Sequence, residues 1–191
     1  MTGTAQSCLQ RQKGVPPRRY WRGFFKRILL WIIICGLVFI APPKIISVCR
    51  LTTGGVGYIL SIAQSGLVRI SRADTAASCA VFAMADKNPL FARAGDIDGD
   101  GDDEISICFY KTARRHDVLE KRPQFFRFDG RELRQMWMGS RLSRPFDDYE
   151  LCDIDGDGIA ELVALERLKE GGHITVVYRW QGFGFAYISG T

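Results

Sequence analysis

The sequence predicts an all-β chain of two four-stranded repeats, with a partial third unit before them, preceded by one N-terminal transmembrane helix. Three observations predict this. The hexapeptide Asp-Ile-Asp-Gly-Asp-Gly occurs at 96–101 and again at 153–158, 57 positions on, each time with a glutamate three residues past the last glycine. Around each copy, short alternating segments rich in β-branched and aromatic residues recur in the same order, with glycine between them. Ahead of both stands a cluster of cations followed by an uncharged apolar run, Ile28–Ala41.

With 191 residues, 47% of them hydrophobic and 25% charged, the chain has the composition of a folding protein with room for one ordinary domain and an appendage. The net charge of +5 is unevenly placed: residues 1–44 hold eight of the 26 basic residues and no acid. The rest is therefore net negative and offers no basic patch of the kind that nucleic acid requires. Residues 1–20 read as a basic cytoplasmic tail and 21–43 as a transmembrane signal-anchor. As a helix the 14-residue apolar run spans about 21 Å, short of the roughly 30 Å of bilayer hydrocarbon. Trp21, Phe24 and Phe25 extend it at the interface, and Lys26 and Arg27 snorkel toward head groups. Phe39-Ile40-Ala41 lacks the small residue that signal cleavage wants two positions before Ala41, and Pro42-Pro43 obstructs the cut. The one-sided charge puts the N-terminus in the cytoplasm and the remainder outside. The expected product is a single-pass membrane protein, or a secreted one if the segment is cut. Cys49, Cys79, Cys108 and Cys152 then lie in an oxidising compartment, where two disulfides and simple burial are the open alternatives.

Residues 44–89 read as a linker and partial first repeat. Within them Tyr58–Ser71 is expected to form a hairpin, and the alanine-rich stretch 72–88 a helical turn or two. The first full repeat, 90–140, takes its strands from Leu90–Arg93, Glu104–Tyr110, Phe125–Gly130 and Leu133–Met138. Ile105, Ile107 and Phe109 alternate with Ser106, Cys108 and Tyr110, the pattern of a half-buried strand. The second, 141–191, repeats the order with Tyr149–Cys152, Glu161–Glu166, Val176–Gly182 and Phe185–Ser189. Both third strands end Arg-aromatic-x-Gly.

Carboxylates at alternate positions repel one another unless the chain turns them around a common cation, and the embedded glycines permit that turn. Six to eight oxygen ligands suit Ca²⁺ better than zinc or a small octahedral Mg²⁺. The expected ligands, about two ions in all, are Asp96, Asp98, Asp100, the carbonyl of Asp102 and Glu104 in the first loop. In the second they are Asp153, Asp155, Asp157, the carbonyl of Ile159 and Glu161. An EF-hand is excluded: its bidentate glutamate at position 12 is replaced by Ile107 and Ala164, and strands flank both loops. Asp-Gly is also turn chemistry in its own right, but plain turns need no matching ligand set and no closing acid.

Asp96-Ile-Asp-Gly-Asp-Gly-Asp-Asp-Glu-Ile105 and Asp153-Ile-Asp-Gly-Asp-Gly-Ile-Ala-Glu-Leu162 resemble the FG-GAP or VCBS-type calcium-loop repeat, which also builds the integrin α-subunit head. The resemblance spans roughly residues 90–189 and implies four-stranded β-propeller blades with the loop between strands one and two. Two features depart from the family pattern: glutamate replaces the usual aspartate at position 9, and there are two full units where the family has about seven. A propeller has about 4 to 8 blades, so the chain cannot close a ring alone. Either protomers assemble into a homo-oligomer, or the blades form an open stack capped by 58–85.

No catalytic constellation is expected. His116 lies in a charged segment and His173 at a strand start, neither beside a nucleophile motif. The sequence therefore predicts a membrane-anchored, extracytoplasmic, calcium-binding interaction module. Its partner would be an unidentified protein or glycan met through the loop 111–123 and the turn 180–185. The alternatives are a calcium-responsive sensory ectodomain and an accessory module of a cell-envelope hydrolase.

Overall fold

A computed structural model describes residues 42–114, 116–139 and 141–190. They form three four-stranded antiparallel sheets, each a simple meander, and none closes on itself. The first comprises β1 (Ile45–Thr53), β2 (Val56–Ala63), β3 (Leu67–Arg72) and β4 (Ser78–Ala83). The second comprises β5 (Pro89–Gly95), β6 (Glu104–Ala113), β7 (His116–Phe128) and β8 (Leu133–Trp137). The third comprises β9 (Phe146–Cys152), β10 (Glu161–Arg167), β11 (His173–Trp180) and β12 (Phe185–Gly190). The basic tail and the apolar run up to Ala41 lie outside the described residues. Among the described residues no helix is long and apolar enough to cross a membrane.

The sheets stack face to face, with β5 beside β1 and β9 beside β5. Gly95 sits where β5 meets the third sheet, and a Cβ there would press within 3.0 Å of Ala160 and 3.1 Å of Leu151. Two cores result. Between the first and second sheets lie Leu51, Leu60, Ile62, Val68 and Ile70 against Ile105, Ile107, Phe109, Phe126 and Phe128. Between the second and third lie Cys108 and Phe125 against Tyr149, Leu162, Ala164, Val176, Tyr178 and Trp180.

Several sequence expectations are revised. The half-buried pattern of β6 fails because a sheet covers each face: every residue from Glu104 to Phe109 is buried. The polar member Ser106 is accommodated by a 2.6 Å hydrogen bond with the Tyr149 hydroxyl. Segment 44–89 holds the expected hairpin as β2 and β3, and β1 and β4 complete the sheet around it. The four strands make a complete sheet that packs on one face of the second. The helical turn of the alanine-rich stretch is one 3-10 turn, Ala85–Lys87, and Ser78–Ala83 within it is the strand β4. Lys111–Ala113 and His116–Pro123 are strand, not loop: they form the far half of the β6–β7 hairpin, pinned by the fully buried Arg122, which donates to the Lys111 and Val118 carbonyls at 3.0 and 2.9 Å. Cys49, Cys79, Cys108 and Cys152 are free thiols. Cys49 and Cys79 sit on opposite edges of the first sheet, three strand spacings or about 14 Å apart, beyond disulfide reach.

Candidate metal centre

Both acidic loops join the first strand of a sheet to its second, 96–103 between β5 and β6 and 153–160 between β9 and β10. The closing glutamates thus become the first residues of β6 and β10, buried at the base of each loop. Each accepts a backbone N–H from the loop's second residue, Ile97 to Glu104 Oε2 at 3.1 Å and Ile154 to Glu161 Oε2 at 3.2 Å. The leading aspartates fold the turn around themselves: Asp96 accepts from Gly99 and Gly101 at 2.7 and 2.8 Å, and Asp153 from Gly156 and Gly158 at 2.7 and 2.9 Å. Those four glycines have φ between +79° and +88°, left-handed backbone that a side chain would strain. These bonds to the leading aspartate and the closing glutamate are the same in both loops.

The result is convergence. Carboxylate oxygens of Asp96, Asp98 and Glu104 lie within 4.8 Å of one another, as do those of Asp153, Asp155 and Glu161. Asp100 and Asp157 join these groups indirectly, each through an arginine. Arg127 from β7 bonds Asp98 and Glu104 and lies 3.6 Å from Asp100. Arg179 from β11 donates at 2.7 Å to Asp155 and from Nε at 2.7 Å to Glu161, and lies 3.1 Å from Asp157. Both arginines line a cleft of about 650 Å³ between the second and third sheets, with Trp180 and Asp98 in its wall.

Asp102 and Ile159, whose carbonyls the sequence nominates, have side chains that act elsewhere. Asp102 accepts the Gly54 N–H at 2.7 Å in the β1–β2 turn. Ile159 lies against the first loop, where a Cβ on Gly99 would meet it at 3.2 Å.

Electrostatics explains why the arginines matter. Burial pushes the Glu104 carboxyl up to about 7, only partly opposed by the Ile97 N–H and Arg127. Asp153 is held below the usual carboxylate range by the Gly158 and Gly156 N–H groups. Arg179 is raised above its ordinary value by its hydrogen bond to Glu161. Three carboxylates face one guanidinium in each loop, and the leading aspartate adds a fourth that is met only by backbone N–H groups, so negative charge is left over. The donors are all oxygens, the set a hard cation prefers over a thiophilic metal. Each group of three carboxylates could hold a hard metal ion, and a guanidinium already meets part of their charge.

Sequence reasoning used Arg127 and Arg179 only as marks of the repeat. The signal was present in the shared Arg-aromatic-x-Gly, but only strand register shows that the third strand's arginine reaches the first loop. His173 bonds Asp147 at 2.6 Å and His116 bonds Arg122 at 2.8 Å, so both serve ion-pair networks. The chain matches no protein-family model and no curated protein.

Proposed function

We propose that this chain is a calcium-binding β-repeat module, held outside the cytoplasm by its N-terminal segment, whose role is structural or interactive and not catalytic. The observation that carries this reading is the duplicated convergence of Asp96, Asp98 and Glu104 and of Asp153, Asp155 and Glu161. A local turn needs no buried glutamate at its base, and finding one twice at the same loop position favours a ligand set. Asp100, Asp157 and the carbonyls of Asp102 and Ile159 would complete each site. Bound calcium would neutralise the loop and tie the first two strands of the sheet together, so that binding energy adds to folding energy. The same loops would serve a calcium-responsive sensory ectodomain or an accessory module of an envelope hydrolase.

The test is calorimetric titration of Ca²⁺ into the purified full-length protein in mild detergent after chelation, beside the double variant Asp98→Ala and Asp155→Ala. Two binding events absent from the variant, and a Tm that rises with calcium, are expected. No heat and no stabilisation would overturn the reading.

Arg127 and Arg179 favour a second reading, in which each guanidinium is the resident cation and the loops are salt-bridged clasps. In that case calcium changes nothing, and removing either arginine is destabilising at every calcium concentration.

A further inference from the structure

The four strands of the first sheet contain no acidic residue: Asp74, in the turn after β3, is the first acid of the chain, and Arg72 pairs with it at 2.8 Å. One face of this sheet packs on the second through Leu51, Leu60, Ile62, Val68 and Ile70. Strand alternation and cross-strand register place Val48, Ser61, Arg69 and Val81 in one row on the other face, with Arg50, Ile59 and Ser71 in the row beside it. Val48 is 58%, Val81 50% and Ile46 42% exposed. Arg50 and Arg69 are exposed as well, and neither takes part in an ion pair among the described residues.

An exposed face that combines apolar side chains with unpaired guanidinium groups and no carboxylate has the chemistry of an interfacial surface: its apolar residues enter a head-group layer and its cations meet lipid phosphate. The open face of the third sheet lacks that chemistry, since Asp148 and Glu150 there pair with Arg93 at 3.2 and 2.8 Å and the charges are met within the chain. Covalent continuity selects the same occupant. Ile45, the first residue of β1, follows Ala41 at the end of the uncharged run by four positions, and four residues reach at most about 14 Å. Lys44, Ile45 and Ile46 on that approach are all exposed, and the row of Val48 and Val81 crosses the sheet just beyond them.

We propose that the open face of the first sheet lies on the surface of the membrane that the N-terminal segment enters, with Ile46, Val48 and Val81 among the lipid head groups and Arg50 and Arg69 on their phosphates. The inference rests on the reading of Ile28–Ala41 as a membrane anchor and does not require cation binding by the acidic loops. A tether of four residues holds the sheet at a high local concentration of lipid, so a face too small to capture a membrane from solution suffices. A negatively charged lipid surface repels carboxylates, and the strands of this sheet present none.

The test is tryptophan quenching by brominated phospholipid in the full-length protein, reconstituted into vesicles of phosphatidylcholine and phosphatidylglycerol and recovered by flotation. Val48→Trp and, separately, Val81→Trp are compared with wild type and with Leu165→Trp on the open face of the third sheet, thermal melts confirming that each variant folds. Both first-sheet variants should gain a quenched emission over wild type, and Leu165→Trp should not. Arg50→Glu with Arg69→Glu, added to Val48→Trp, should abolish the gain. First-sheet tryptophans quenched no more than Leu165→Trp, or a gain indifferent to the charge reversal, would overturn the proposal while leaving the anchor intact. A Val48→Trp emission shifted to the blue without quenching means that protein covers the face, and it overturns the proposal too. A chain that does not float with the vesicles removes the anchor reading and this inference together.

Discussion

Arg127 Nε donates to Glu104 Oε1 at 3.2 Å, and Arg179 Nε to Glu161 Oε1 at 2.7 Å, so each buried acid at the base of a loop has its own guanidinium from the third strand of the same sheet. A guanidinium and a calcium ion would share these oxygens. Replacing Arg127 with glutamine should therefore raise calcium affinity at the first loop while lowering the stability of the metal-free protein by about 1–2 kcal/mol, the range for losing a charged hydrogen bond at a partly exposed site. Titration calorimetry and melts in chelator read the two effects separately.

Glu104→Gln keeps the shape and an acceptor for the Ile97 N–H but removes the buried charge. Calcium binding at the first loop should weaken at least tenfold, as expected for loss of a charged ligand. The metal-free Tm should be no lower than that of wild type, because the costly charge has gone. A large fall in that Tm would show that the Arg127 pair outweighs the desolvation of Glu104.

Alkaline pH should destabilise the fold. Burial pushes the Cys49 and Cys108 thiols up to about 12 and, together with the Glu166 hydrogen bond, the Tyr178 hydroxyl to about 12. In the unfolded chain these groups ionise near their ordinary values of about 8.5 and 10. Between those values and about 12 the folded state holds the protons and the unfolded state does not, so stability is intact below and falls as pH rises through that window. Melting curves from pH 8 to 11 check the sign.

Ser106 and Tyr149 bridge the second and third sheets through one hydroxyl pair at 2.6 Å. Tyr149→Phe should cost about 1–2 kcal/mol, since it strands the buried Ser106 hydroxyl. Adding Ser106→Ala should recover part of the loss, and a double-mutant cycle by denaturant unfolding measures the coupling.

The turn between β11 and β12 divides its aromatics. Trp180 is 9% exposed and packs on Phe185 with ring centroids 5.3 Å apart, whereas Phe183 is 86% exposed. Trp180→Ala should cost about 3–5 kcal/mol, and Phe183→Ser should leave the Tm unchanged. If the turn serves a partner, only the Phe183 change will reduce capture of that partner without loss of fold.

Much was legible along the chain because it is written locally. Alternation in Ile105–Phe109 and Val176–Trp180 needs only neighbouring residues to show a strand, and Asp-Gly pairs encode left-handed turns wherever they occur. The place of the closing glutamate at the foot of each loop was legible for the same reason, its spacing being set by the loop itself, whereas its burial was not. The strand character of 45–53 and 78–83 was not, since β1 opens on the exposed pair Ile45 and Ile46 and β4 is short and small in its side chains, so neither alternates cleanly throughout.

By itself, then, the sequence determined where the chain turns, which segments extend, and that two sets of carboxylates are gathered in matching loops. Only the tertiary structure decided that 44–89 completes a sheet, that β6 is buried on both sides, that Lys111–Ala113 and His116–Pro123 are strand, and that Arg127 and Arg179 enter the loops. The division has one physical cause. Turn geometry and side-chain alternation are properties of consecutive dihedrals, whereas burial and ion pairing depend on which strand lies beside or beneath another, a choice made by packing between residues far apart in the chain.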